Sequence, residues 1–262
     1  FWKRYGLRVS ASIDGDRATH DRQRPMVNGR GSYEATRRGL ELLARAGLLE
    51  HVYWVVTPER ARGGAHAVWQ EIQRMGVREV GLLPERSEGP DEALPRRLGR
   101  GPAPPSFAQF LLELRAARRS APEPWVAIRE IDAAERAVAG EMPGFCELLG
   151  NCIGHVFAVD PDGTIQHCDR FLGDADYVVG DVARGGFAGA RSSEALARLR
   201  ARERVRLERL RACPQFARCQ GWCPHVTYAG QPWLAGTDDG CCGLRPLLDG
   251  IEARVDDANG PH

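Results

Sequence analysis

No cysteine stands before Cys146, so whatever the first half of the chain does, it does without thiols. Nor is there an excess of either charge. The 36 Lys and Arg against 35 Asp and Glu leave a net charge of +1, without the footprint of a nucleic-acid binder or of a protein drawn to an anionic membrane. No apolar run approaches the roughly eighteen residues of a transmembrane helix. The opening Phe1-Trp2-Lys3-Arg4-Tyr5-Gly6 has neither the apolar stretch nor the cleavage site of a secretory signal. These absences lead to the expectation of a soluble, cytoplasmic protein with no nucleic-acid or membrane partner. With 262 residues, 43% of them hydrophobic, there is material for a real core in one large or two smaller domains.

What the chain does have is eight cysteines in its second half: Cys146, Cys152, Cys168, Cys213, Cys219, Cys223 and the adjacent pair Cys241 and Cys242. Thiolates bind soft metals and iron–sulfur clusters, about four to a site, so eight suffice for two sites. A disulfide framework is the competing reading. It goes with a signal peptide and a much shorter chain, and adjacent cysteines suit ordinary disulfide geometry poorly. Metal ligation is therefore favoured, with zinc open beside iron because four thiolates satisfy its tetrahedral preference too.

Residues 1–135 alternate strand and helix signals. Leu7 to Ile13, His51 to Val56, Arg78 to Leu83 and Trp125 to Arg129 read as strands. Ser32 is placed to cap a helix running to about Ala46 and stopped by Gly47; Ala65 to Met75 forms a second, ended by Gly76. Such a series builds a parallel sheet or part of a barrel, with ligands at the carboxyl ends of the strands, which points to Ser12-Ile13-Asp14-Gly15. Residues 84–107, rich in Pro, Gly, Arg and Glu, read as a long loop, Phe107 to Ala117 as a helix, and Asp132 to Gly144 as a bridge to the second half. There, Val156 to Val159 and Thr164 to His167 flank Asp160-Pro161-Asp162-Gly163 as a hairpin. A calcium loop at Asp160 and Asp162 is excluded because the remaining ligands are missing. Ser193 to Leu210 reads as an Arg-rich helix with a solvated, ion-paired face, and the tail after Gly243 as frayed.

The spacing Cys152, ten residues, Gly163-x4-Cys168, then Cys213-x5-Cys219-x3-Cys223 and Cys241, resembles the SPASM extension of radical S-adenosylmethionine enzymes. Ser12-Ile13-Asp14-Gly15, His20-Asp21-x-x-Arg24 and Gly29-Arg30-Gly31-Ser32-Tyr33 are similar to the fourth-strand region of the same peptide-modifying enzymes. The resemblance implies an α/β fold: the last part of a partial (β/α)6 barrel over 1–135, a cysteine-rich extension with a hairpin and helices over 136–250, and a tail over 251–262. It implies one [4Fe–4S] cluster on Cys146, Cys152, Cys168 and Cys223, and a second on Cys213, Cys219 and Cys241. Leu210 stands where a fourth thiolate is expected, which leaves either an iron open to a substrate group, a water, Cys242 or His225, or a second cluster that is lost, so the chain holds one or two clusters. By the same resemblance Ser12 and Asp14 lie near S-adenosylmethionine, Arg24 pairs with its carboxylate, and Asp169 is a candidate catalytic base. The loop that holds the cofactor-cleaving cluster is missing, so the chain reads as a fragment, inactive alone.

The function implied is maturation of a ribosomally made precursor peptide or protein, with flavodoxin or ferredoxin as reductant. Natural-product peptide maturation leads and formylglycine formation in sulfatases follows. A stand-alone iron–sulfur electron-transfer or peptide-binding module, or a zinc-binding structural protein, remain as readings of other classes.

Overall fold

The computed structural model describes residues 1–85, 105–121, 125–150, 152–229, 233 and 241–258. The expected strands form one parallel sheet, β1 (Val9–Ser12), β2 (Leu49–Val56), β3 (Glu79–Pro84) and β4 (Ala127–Ile128), ordered as in the chain. Helices α1 (Arg17–Gln23) and α2 (Tyr33–Arg45) link β1 to β2; α3 (Pro58–Arg62) and α4 (Ala65–Met75) link β2 to β3; α5 (Phe107–Ser120) precedes β4. The sheet is two-faced because β2 alternates. Val52, Trp54 and Val56 are buried, whereas His51, Tyr53 and Val55 are only half-buried on the open face. Helix α4 buries Val68, Trp69 and Ile72 and stops at Gly76, which adopts the left-handed conformation a stop requires. The expected loop over 84–107 lies largely outside the described residues.

Three expectations are corrected here. The fourth strand shrinks to two residues, because Arg129 opens a helix, α6 (Arg129–Val138), where a bridge was read. Buried Ile131, Ala133, Ala134 and Ala137 give that helix its inner face. Ser32 does not cap α2 with its side chain, and the carboxylate of Asp21 accepts from Tyr33 N (2.8 Å) in its place. The tail is not frayed up to residue 258: α11 (Arg245–Ala258) buries Leu247, Leu248 and Ile251, each worth roughly 2 kcal/mol of apolar transfer.

In the second half the hairpin is present as β5 (Ala158–Val159) and β6 (Thr164–Gln166), and β7 (Val178–Asp181) adds a third antiparallel strand not foreseen from sequence. Gly163 at φ 93° makes the turn. Helices α7 (Gly186–Ser192), α8 (Glu194–Leu210), α9 (Phe216–Cys219) and α10 (Pro224–Ala229) follow. Ser193 caps α8 by accepting from Leu196 N (3.1 Å).

One apolar core runs from Trp54, Val68 and Leu82 through Phe110, Leu114 and Ile131 to Leu148, Leu210, Trp222 and Leu247. The expected divide at residue 135 is thus crossed by α6 and by the core, and the expected start of the tail at 251 by α11. Fully buried Arg118 on α5 pairs with Asp132 (2.6 Å) and Glu135 (3.2 Å) on α6, fixing those two helices to each other. No helix among the described residues is long and apolar enough to cross a membrane.

Candidate metal centre and cofactor site

At the carboxyl end of β1 the chain turns through Asp14, 1% exposed, whose carboxylate accepts from Val55 N (2.8 Å) and Arg24 Nε (2.5 Å). Asp14 N donates to His20 Nδ1 (3.1 Å); His20 Nε2 donates to Ser32 Oγ (3.0 Å), which in turn donates to Arg24 O (2.5 Å). This relay requires one neutral His20 tautomer, and burial holds the imidazole pKa below its ordinary value, against the pull of Asp14. A Cβ on Gly31 would stand 2.2 Å from the Asp21 carboxylate, so only glycine lets Asp21 reach the start of α2. The motif His20-Asp21-x-x-Arg24 with Gly31-Ser32-Tyr33 is therefore the joint that builds this end of the sheet. Arg24 and Asp14 are engaged with each other. Ser12 pairs laterally with Tyr53, and Tyr53 with Gly81, placing the three in one row on the open face. The Arg129 guanidinium lies over the rings of Tyr53 (5.0 Å) and Phe145 (4.3 Å) and ion-pairs with Glu130 (2.5 Å).

All eight cysteines are free thiols, so no disulfide links them. Their mutual electrostatics divide them into two sets. Cys146, Cys152 and Cys168 each feel the charge of Cys223; Cys213 feels Cys241 and Cys219, and Cys242 touches Cys219 and Cys241. Burial pushes the thiols of Cys152 and Cys168 up to about 12, with neighbouring negative groups adding to it. A bound cation is what would return them to thiolates.

Around the first set, Glu147 receives Trp222 Nε1 (2.8 Å) and ion-pairs with Arg170. Arg170 Nη1 stands 3.9 Å from Cys223 Sγ. Each of these residues lies within two positions of a cysteine, so the network ties together the loops that deliver Cys146, Cys168 and Cys223. Burial works against the Arg170 charge, but Glu147 and the surrounding thiols outweigh it and raise its pKa. Cys168 itself is left-handed (φ 65°), a conformation that costs on the order of 1 kcal/mol outside glycine and is kept only where surroundings enforce it. Asp169 is exposed, and Cys168 Sγ donates to its Oδ1 (3.1 Å).

Between Cys219 and Cys223 three consecutive residues, Gln220 (φ 49°), Gly221 (φ 80°) and Trp222 (φ 53°), are left-handed. This turn sends Cys219 to the second set and Cys223 to the first. The turn is clamped by Arg206 of α8, which donates to Gly221 O (2.8 Å) and Trp222 O (3.2 Å) and pairs with Glu203 (2.7 Å). Sequence reading counted Arg206 among solvated arginines; burial at 8% exposure makes it structural. Leu210 is buried in the main core and brings no donor; His225 packs edge-on against Phe171 (4.9 Å).

Among the described residues no three His, Cys, Asp or Glu side chains gather tightly enough for a single metal ion. An iron–sulfur cube places its thiolates on four separate irons and needs a looser set, which two groups of four free thiols fit.

No protein-family model matches the chain. The serine-type anaerobic sulfatase-maturating enzyme of Klebsiella aerogenes is 26% identical over 262 residues, 96% of this chain and 63% of that enzyme. The cysteine-type enzyme of Clostridium novyi (strain NT) is 23% identical over 192 residues, 72% of this chain and 50% of its own. The chain therefore spans less than two thirds of the length of these relatives. Among solved structures, native anSMEcpe with bound AdoMet matches over 100% of this chain and 71% of its own, with TM-score 0.74 at 18% identity. The chain has the fold of anSMEcpe. Native anSMEcpe with bound AdoMet and Cp18Cys peptide matches with TM-score 0.73. The anSMEcpe likeness covers the parallel sheet and the thiol-bearing half together.

Proposed function

We propose that this chain is the sheet end and auxiliary-cluster part of a radical S-adenosylmethionine maturase acting on a peptide or protein. The observation that carries the reading is the grouping of eight free thiols into two sets of four in a chain with the fold of an AdoMet-bound structure. When bound, S-adenosylmethionine and iron–sulfur clusters would supply hydrogen-atom abstraction from the substrate and a place for the remaining electron. Cys146, Cys152, Cys168 and Cys223 would hold one cluster. Ser12, on the open face at the end of β1, would meet the cofactor, while the Asp14–Arg24 pair holds the turn beside it. The carboxylate of Asp169, exposed beside Cys168, would take a proton from a substrate group brought to the first cluster.

A sulfatase Ser or Cys as the target is favoured by the names of the curated relatives, and a peptide segment as the substrate form by the peptide complex of anSMEcpe. This reverses the order reached from sequence, which put natural-product peptides first. The test begins with anaerobic purification and counting of iron and sulfide. Brown protein with about eight irons per chain is expected; colourless protein carrying zinc would overturn the proposal. Asp169→Asn in the full-length protein is then expected to leave iron content unchanged and to lower turnover of a sulfatase-derived peptide by about a hundredfold or more. An unchanged rate would remove Asp169 from the reaction.

A further inference from the structure

The second set of thiols contains two adjacent residues, and both point into it. Cys219 and Cys242 stand 3.7 Å apart, sulfur to sulfur, with both residues buried. Cys241 contacts Cys242 on one side and Cys213 on the other, so the four sulfurs form one chain of contacts.

A second observation is independent of those contacts. Each of the four sulfurs receives the backbone N–H two residues further on: Cys213 from Gln215, Cys219 from Gly221 (3.4 Å), Cys241 from Gly243 (3.3 Å) and Cys242 from Leu244. An amide aimed at a neutral buried thiol contributes little. Aimed at a thiolate it is a charge-assisted hydrogen bond, and such bonds are among the levers that stabilise metal-bound sulfur. Cys242 shares this local geometry with Cys213, Cys219 and Cys241, so nothing in its surroundings marks it as a spectator. Leu210 offers no donor, and its side chain packs in the same apolar core as Cys219 and Cys242.

We infer that Cys241 and Cys242 both ligate the second cluster, with Cys242 as the fourth thiolate that completes Cys213, Cys219 and Cys241. Each thiol gives up its proton as its sulfur binds an iron. A consequence is that this cluster has no iron left open for a substrate group, so it transfers electrons without binding substrate. The inference rests on the reading of the thiols as iron ligands.

The test compares the anaerobically purified chain with its Cys242→Ala and Cys242→Ser variants by iron and sulfide counts and by EPR of oxidised and reduced samples. The unaltered chain is expected to hold about eight irons. Cys242→Ala is expected to lose about one of them and to give a [3Fe–4S] signal on oxidation. Cys242→Ser, which keeps an oxygen at the position, is expected to retain the iron with a shifted reduced spectrum, and it serves where the alanine variant fails to fold. Iron content and spectra unchanged in both variants would overturn the inference and leave the proposed function standing. About four irons in the unaltered chain would do the same, and none at all would overturn both.

Discussion

At the scale of single residues, two arginines carry more of the structure than their neighbours in sequence suggest. Arg206 holds two carbonyls of a turn for which no other donor is found among the described residues, and its loss also strands Glu203 in a site with little water. Arg206→Ala is expected to cost about 3 kcal/mol, with iron lost from both clusters because the turn serves both. A thermal midpoint and iron content matching the unaltered chain would refute this. Arg170 places a positive charge near Cys223, and a positive charge favours the reduced, more negative form of a cluster. Arg170→Met is expected to lower the midpoint potential of the first cluster by on the order of 60 mV, a tenfold change for a one-electron couple. Redox titration followed by EPR checks the sign. The cysteines were legible in sequence because their spacing is a property of the chain. Arg206 was not, since six arginines on one helix look alike until the packing selects one.

At the scale of elements, the sheet followed from strand-like runs and from glycine stops at Gly47 and Gly76, whereas the two faces of the second strand emerged only from its burial pattern. The start of α6 did not, because the strand-like run Trp125 to Arg129 reads through it, and β4 ends only where Glu130 folds back to accept from Leu82 N (2.8 Å). Burial raises the Glu130 carboxyl to about 7 from an ordinary 4.5, although Arg129 opposes the shift. Since the folded value is the higher one, the protonated form favours folding. That contribution is complete below about pH 4.5 and is lost as pH rises through 7, a difference on the order of 3 kcal/mol. Glu130→Gln, which keeps an acceptor for Leu82 N, is expected to flatten the fall in stability between pH 5 and pH 8. Urea unfolding at the two pH values measures it, and a fall as steep as that of the unaltered chain would count against the assignment.

At the scale of the whole molecule, the two halves were separable in sequence by their cysteine content but are not separable in packing. Cys219, Cys223 and Cys242 lie in the same core as Trp54 and Leu82, an arrangement set by contacts between residues far apart in the chain and so invisible to local pattern. Stripping the iron should therefore loosen the sheet as well as the thiol-bearing turns. One cooperative unfolding transition, lowered by about 10 °C or more, is expected in circular dichroism after anaerobic chelation. Two separate transitions, with the sheet unaffected, would show that the halves are independent. Because sulfurs of both sets are seated in the apolar core that the sheet shares, damage at either end of the described residues is felt at the other, and order is kept or lost as one piece.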